Sequence, residues 1–246
     1  MPRPDEHRRE FLIRVLASGA FAVSLPLAGA RTARSGAAGP APLPAGRSIY
    51  RLQGSVRING RAAIEETVIS ASDLIETGAD GLLIFVVGKD AFILRNNSVL
   101  QLSTGSAGTG PEVAGATVSL MRVLTGKVLS VFGAQRHEIQ TPVAAIGIRG
   151  TGIYVESEPA ETYVCTCYGI ADLAAIADPA SAETVTSTHH SAPRYVSADG
   201  AAGTRIQPAP FKNHDDEELL LIESLVGRTT PFVVPGRSRR RNRRYY

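Results

Sequence analysis

The chain has 246 residues, 43% of them hydrophobic, with 26 Lys+Arg against 23 Asp+Glu. This is enough for one cored domain, or one with an extension, and it excludes a wholly disordered chain. Two cysteines exclude a disulfide-rich scaffold. The net charge of +3 comes from one segment: without the six arginines of 237–244 (RSRRRNRR) the chain would stand at −3. Such a run reads as a solvated, disordered arm able to touch anionic surfaces. No aromatic platform or basic groove accompanies it, which excludes a dedicated nucleic-acid-binding module.

The chain opens with His7-Arg8-Arg9-Glu10-Phe11-Leu12-Ile13-Arg14, an apolar stretch over 15–25, then Pro26 and Ala28-Gly29-Ala30. A charged region, a short apolar region and an A-x-A site make a secretory signal peptide, here 1–30. The Arg8-Arg9 pair followed by Phe11-Leu12 resembles the twin-arginine export signal. That resemblance implies an exported protein, periplasmic or in the cell envelope, that crosses already folded and often with its cofactor loaded. The apolar region is too short to span a bilayer, so no transmembrane helix is expected in the mature chain.

Residues 31–47 are rich in Ala, Gly, Pro and Arg and read as a linker. From 48 to 177 short strands follow one another. Ser55-Val56-Arg57-Ile58-Asn59-Gly60 alternates and then turns. Strands follow at 82–87, 91–94, 99–102, 121–124, 127–132, 152–156 and 162–166, separated by Gly, Asn and Pro. That spacing predicts a mainly β domain, a sandwich, roll or solenoid. Residues 178–235 read as a polar, Pro-punctuated extension with one short helix at about 215–226. Asn213 or Asp215 can cap it, acids fill its first turn, Leu219, Ile222 and Val226 share a face, and Gly227 suits the position just past its end. Residues 236–246 form the Arg-rich tail.

Four segments in the middle of the chain share the order and spacing of a known domain. They are Ala71-Ser72-Asp73-Leu74-Ile75-Glu76-Thr77-Gly78, Asn97-Ser98-Val99-Leu100, Val123-Leu124-Thr125-Gly126-Lys127-Val128, and Thr141-Pro142-Val143-Ala144-Ala145-Ile146-Gly147-Ile148-Arg149-Gly150-Thr151. Over 57–176 the chain resembles the FecR family, named for the iron-dicitrate signalling regulator. Classical members carry a cytoplasmic anti-sigma domain, a membrane helix and a receptor-contacting domain, for which this sequence shows no counterpart. The resemblance therefore implies an exported β domain of binding, scaffolding or signalling-accessory type, with an unknown envelope protein or small ligand as its partner. In the last motif Pro142 pre-sets φ, Gly150 permits a tight turn, and Arg149 can tie carbonyls or a carboxylate, with Thr141 and Thr151 at the ends.

Tyr163-Val164-Cys165-Thr166-Cys167-Tyr168 carries the most local chemistry. On a strand both cysteines point to one face. Their Cα atoms would lie about 6.6 Å apart, the upper end of disulfide geometry. A disulfide there would be strained, whereas two thiolates on one face can chelate a metal. His137, His189, His190 and His214 remain after the signal, three of them downstream of the cysteines. Cys165 and Cys167 with His189 or His190 and His214 would suit zinc or another transition metal. The other readings are a redox-active disulfide and plain buried thiols. No G-x-S-x-G or H-E-x-x-H motif is present. The sequence thus favours a non-catalytic module, the alternative being a thiol-redox or metal-dependent periplasmic enzyme that uses the C-x-C pair.

Overall fold

The computed structural model describes residues 39–104 and 118–233. The expected signal peptide and Arg-rich tail, and residues 31–38 of the expected linker, lie outside the described residues. Among the described residues the fold is mainly β with one short helix. The strands are β1 (Ile49–Gln53), β2 (Val56–Ile58), β3 (Arg61–Ala62), β4 (Leu74–Thr77), β5 (Leu82–Val87), β6 (Asp90–Leu94) and β7 (Val99–Ser103). They continue with β8 (Leu120–Val131), β9 (Arg136–Gln140), β10 (Ala144–Ser157), β11 (Glu161–Ala175), β12 (Asp178–Ser187), β13 (Arg194–Ser197) and β14 (Ile206–Pro208), and then helix α1 (Asp216–Leu225).

All the strands belong to one sheet, whose main path runs β14-β13-β11-β10-β9-β8-β7-β4-β2-β3. Three long strands fold it over by changing partners midway. The first half of β8 pairs with β7 and, in parallel, with β9; its second half pairs with β6 and β10. β10 runs along β9 with one half and β8 with the other, while β11 flanks its whole length. One large core fills the inside of this fold.

The part formed by β5, β6, β8, β10 and β11 is apolar on both faces, which is why its strands read as continuous apolar runs. Phe85, Phe92, Leu94, Val128, Ile153, Val155 and Val164 point into the large core. Their neighbours Ile84, Ala91, Ile93, Leu129, Tyr154, Tyr163, Cys165 and Cys167 point to the opposite face. There α1 covers them with Leu219, Leu221, Ile222 and Leu225. The helix begins with a capping box: Asp215 Oδ1 accepts from the Glu218 N–H at 2.9 Å, and Glu218 Oε2 accepts from the Asp215 N–H at 3.2 Å. Gly227 takes φ +73 just past its end.

The sequence reading ended the β domain at 177. The sheet itself continues to 208: β12 and β13 pair with β11, and β14 with β13. Separate strands expected at 121–124 and 127–132 are one strand, β8, which swivels at Gly126 (φ +94). A Cβ there would fall 2.1 Å from Ser98 Oγ and 2.4 Å from Ser98 Cα. Gly126→Ala should therefore cost about 2 kcal/mol or more, combining positive-φ strain with a backbone clash. Urea unfolding of the variant beside wild type checks this.

The Thr141–Thr151 motif builds a turn and a bulge. Thr141 Oγ1 accepts from the Ala144 N–H at 2.9 Å and lies 2.7 Å from Thr162 Oγ1. Pro142 occupies that turn between β9 and β10. Gly150 takes φ +55 where the β10–β11 register slips between Arg149 and Gly152, and Thr151 donates to the carbonyls of Arg149 (2.8 Å) and Ile170 (3.1 Å). Arg149 pairs with Asp172 at 2.9 Å, both half exposed.

Candidate metal centre

Period-two alternation on β11 puts Cys165 and Cys167 side by side on the α1 face, both fully buried. The bend after β12 carries His190 to them. Its backbone N–H donates to the Cys167 carbonyl at 2.8 Å, and it holds a left-handed φ of +49, uncommon for a non-glycine residue. His214 arrives from the segment that leads into α1. The result is a four-residue cluster, Cys165, Cys167, His190 and His214, whose ligand atoms all lie within 4.8 Å of one another. Cys165 Sγ is 3.6 Å from His190 Nδ1, Cys167 Sγ is 3.4 Å from His214 Nε2, and the two ring nitrogens are 3.1 Å apart.

The outer nitrogen of each ring fixes which atom faces inward. His214 Nδ1–H donates to the Lys212 carbonyl at 2.8 Å, which can only accept. His190 Nε2–H donates to Asp216 Oδ1 at 3.1 Å. Each imidazole, if neutral, then turns a lone pair toward the sulfurs and toward the other ring. Two lone pairs 3.1 Å apart repel unless a proton or a cation lies between them. Histidine ligands of metals typically have their second N–H held by a carbonyl or carboxylate in this way.

The spacing has the size of a tetrahedral zinc shell. With Zn–S about 2.3 Å and Zn–N about 2.0–2.1 Å, ligands around one ion stand about 3.6 Å apart for S and N and about 3.4 Å for N and N. The distances here, 3.6, 3.4 and 3.1 Å, fall close to those values.

Buried polar contacts position His214. Its ring stacks on Tyr154 at 4.4 Å and packs against Phe211 at 4.6 Å. Tyr154 OH and Asn213 Nδ2 both donate to Glu156 Oε1, at 2.7 and 2.6 Å, and Lys212 Nζ lies 3.0 Å from Glu156 Oε2. Arg95 donates to the Asn213 carbonyl and to both oxygens of Glu218, each at 2.9 Å. Burial alone would lower the Arg95 pKa, but Glu218 and Tyr154, by charge and hydrogen bond together, outweigh it and raise it.

The two thiols are pushed in opposite directions. A hydrogen bond from Cys167, followed by those from the two histidines, pulls the Cys165 pKa far below its usual value, while burial pushes Cys167 up. Burial opposes a charged His190, yet Cys165 and Asp216 outweigh it and raise that pKa. Both sulfurs are shielded, so native protein should resist alkylation by iodoacetamide. Mass spectrometry should find both cysteines labelled only after denaturation.

Of the histidines singled out from the sequence, His190 and His214 meet the sulfurs. His189 turns outward, half exposed, with Nε2 2.8 Å from Asp216 Oδ1. His137 is buried elsewhere, its Nδ1–H donating to the Val118 carbonyl at 2.5 Å. The sequence reading missed the part of Asp216, which accepts a hydrogen bond from His190 Nε2–H, and of Tyr154, whose ring supports His214. Asp216 is 26 residues from His190 and Tyr154 sits on another strand, so neither shows in local spacing.

No family model and no curated protein matches the chain. Two crystal structures of a candidate anti-sigma factor from Parabacteroides distasonis, at 1.65 and 2.50 Å resolution, align with a TM-score of 0.42 and 14% identity. The alignment covers 59% of this chain and 62% of that one, so the chain spans less than two thirds of that protein. No helix among the described residues is long and apolar enough to cross a membrane.

Proposed function

We propose that this chain is an exported, FecR-like β module of non-catalytic type that holds one zinc ion through Cys165, Cys167, His190 and His214. One observation carries the metal reading: two inward-facing imidazole nitrogens and two sulfurs converge at tetrahedral spacing. Charge favours zinc over a monovalent ion. Two thiolates neutralise a divalent cation, whereas Cu(I) would leave a net negative charge in an apolar pocket, which is costly. All four donors come from the protein, with both sulfurs and His214 buried and His190 partly so, the pattern of a structural rather than a catalytic zinc. The ion would join β11, the β12 bend and the α1 leader into one body. The export and FecR parts of the proposal rest on the twin-arginine-like leader and on the Thr141–Thr151 motif.

One observation favours an enzyme instead. Cys165, His190 and Asp216 form a nucleophile–base–orienter chain, with 3.6 Å from Sγ to Nδ1 and 3.1 Å from Nε2 to Oδ1. Burial weighs against it, because a nucleophilic thiolate must be reachable by substrate. Metal analysis of purified full-length protein, wild type and Cys165→Ser/Cys167→Ser, separates the two. The proposal requires one zinc per chain in wild type and none in the variant. Metal-free wild type with a titratable thiolate would favour the enzyme.

A further inference from the structure

His189 and Asp216 have no place in the buried shell, yet with His190 they form a second cluster of donors. His189 Nε2 and His190 Nε2 both point at Asp216 Oδ1, at 2.8 and 3.1 Å, and the three ligand atoms lie within 4.8 Å of one another. The sequence makes this possible through adjacent histidines on the β12 bend. The left-handed φ of His190 turns the chain there, and its backbone N–H is pinned to Cys167. The two rings stand 4.9 Å apart at 56° to each other. Phe232 packs against the His189 ring at 4.4 Å and limits its freedom. Asp216 opens α1, where the helix dipole favours a carboxylate.

We propose that His189, His190 and Asp216 form a second, solvent-reachable site for a divalent transition metal, joined to the buried zinc through the His190 ring. This inference rests on the buried Cys2His2 reading, since His190 turns Nδ1 to that ion and Nε2 to this one. The two sites differ in donor type and access. The inner shell is two sulfurs and two nitrogens, with three of its four residues buried. The outer one is two nitrogens and one oxygen, with the His189 side chain 46% exposed and that of Asp216 16%. Two imidazoles and a carboxylate leave coordination positions open, a set suited to Cu(II), Ni(II), Zn(II) or Fe(II). Binding there displaces the His190 Nε2 proton to solvent and leaves a bridging imidazolate.

Cobalt(II) titration of full-length protein, metal-stripped under reducing conditions, tests this. The first equivalent should bring the thiolate-to-cobalt charge-transfer band of the inner site. A second should bind with no further growth of that band. His189→Ala, a change at a half-exposed position, should remove only the second equivalent. A single equivalent in wild type, or a second one that survives both His189→Ala and Asp216→Asn, would overturn the outer site. Absence of the charge-transfer band would instead overturn the buried site. A cobalt equivalent that still depends on His189 in Cys165→Ser/Cys167→Ser would show that the outer site stands without the inner one.

Discussion

Replacing Cys165 and Cys167 by serine should lower the melting temperature by about 10 °C or more and abolish metal retention. The proposed ion ties together residues 24 to 47 positions apart in the chain, across three elements. A ligand held at a thousand times its dissociation constant stabilises the folded state by about 4 kcal/mol. For a chain of this size each kcal/mol moves the midpoint by about 2–4 °C. The large β core is built from other residues, so the variant should still fold as a β protein. Circular dichroism should show the sheet retained, with the loss concentrated in the α1 region. A chelator should reproduce the shift in wild type and leave the variant unmoved. The pH dependence has a definite sign. Thiolates and neutral imidazoles bind metal and their protonated forms do not, so the metal-linked stability is present at neutral pH and lost on acidification. Equal midpoints with and without chelator would sink this expectation.

Arg95→Met should be the most damaging single change away from the ligands, at about 3–5 kcal/mol. It would break a buried ion pair and leave Glu218 uncompensated. The side chains of Arg95 and Glu218 are only 16% and 5% exposed, and they close the gap between the end of β6 and the start of α1. The same arginine holds the Asn213 carbonyl, one residue before His214. Metal affinity should therefore fall as well, by about 10–100-fold, the size usual when support of a ligand is lost. Arg149→Ala is the matched control. Its partner Asp172 is paired at the same 2.9 Å, but with side chains 51% and 42% exposed that pair should be worth less than about 1 kcal/mol. Urea unfolding of the two variants, with competition for zinc by a chromogenic chelator, measures both effects.

Much of the α1 face was legible in the sequence because its signals are local. The C-x-C alternation put both sulfurs on one face, and Asp215, the first-turn acids and Gly227 marked both ends of the helix. The strand at 82–87 was legible because an unbroken apolar run suits a strand covered on both faces. The strands at 178–208 were not. The solvent-facing positions of β12 carry Thr184 and Thr186, and Pro179 and Pro208 read as loop punctuation although they sit on the outer strands of the sheet. The choice of His190 over His189 was equally hidden, since it depends on a backbone bond to Cys167 and a positive φ that spacing does not encode.

The most direct test of the metal centre is X-ray absorption at the zinc edge on purified full-length protein. The account requires a shell of two sulfurs at about 2.3 Å and two nitrogens at about 2.0–2.1 Å. Protein without zinc, or zinc bound only by nitrogen and oxygen, would contradict it.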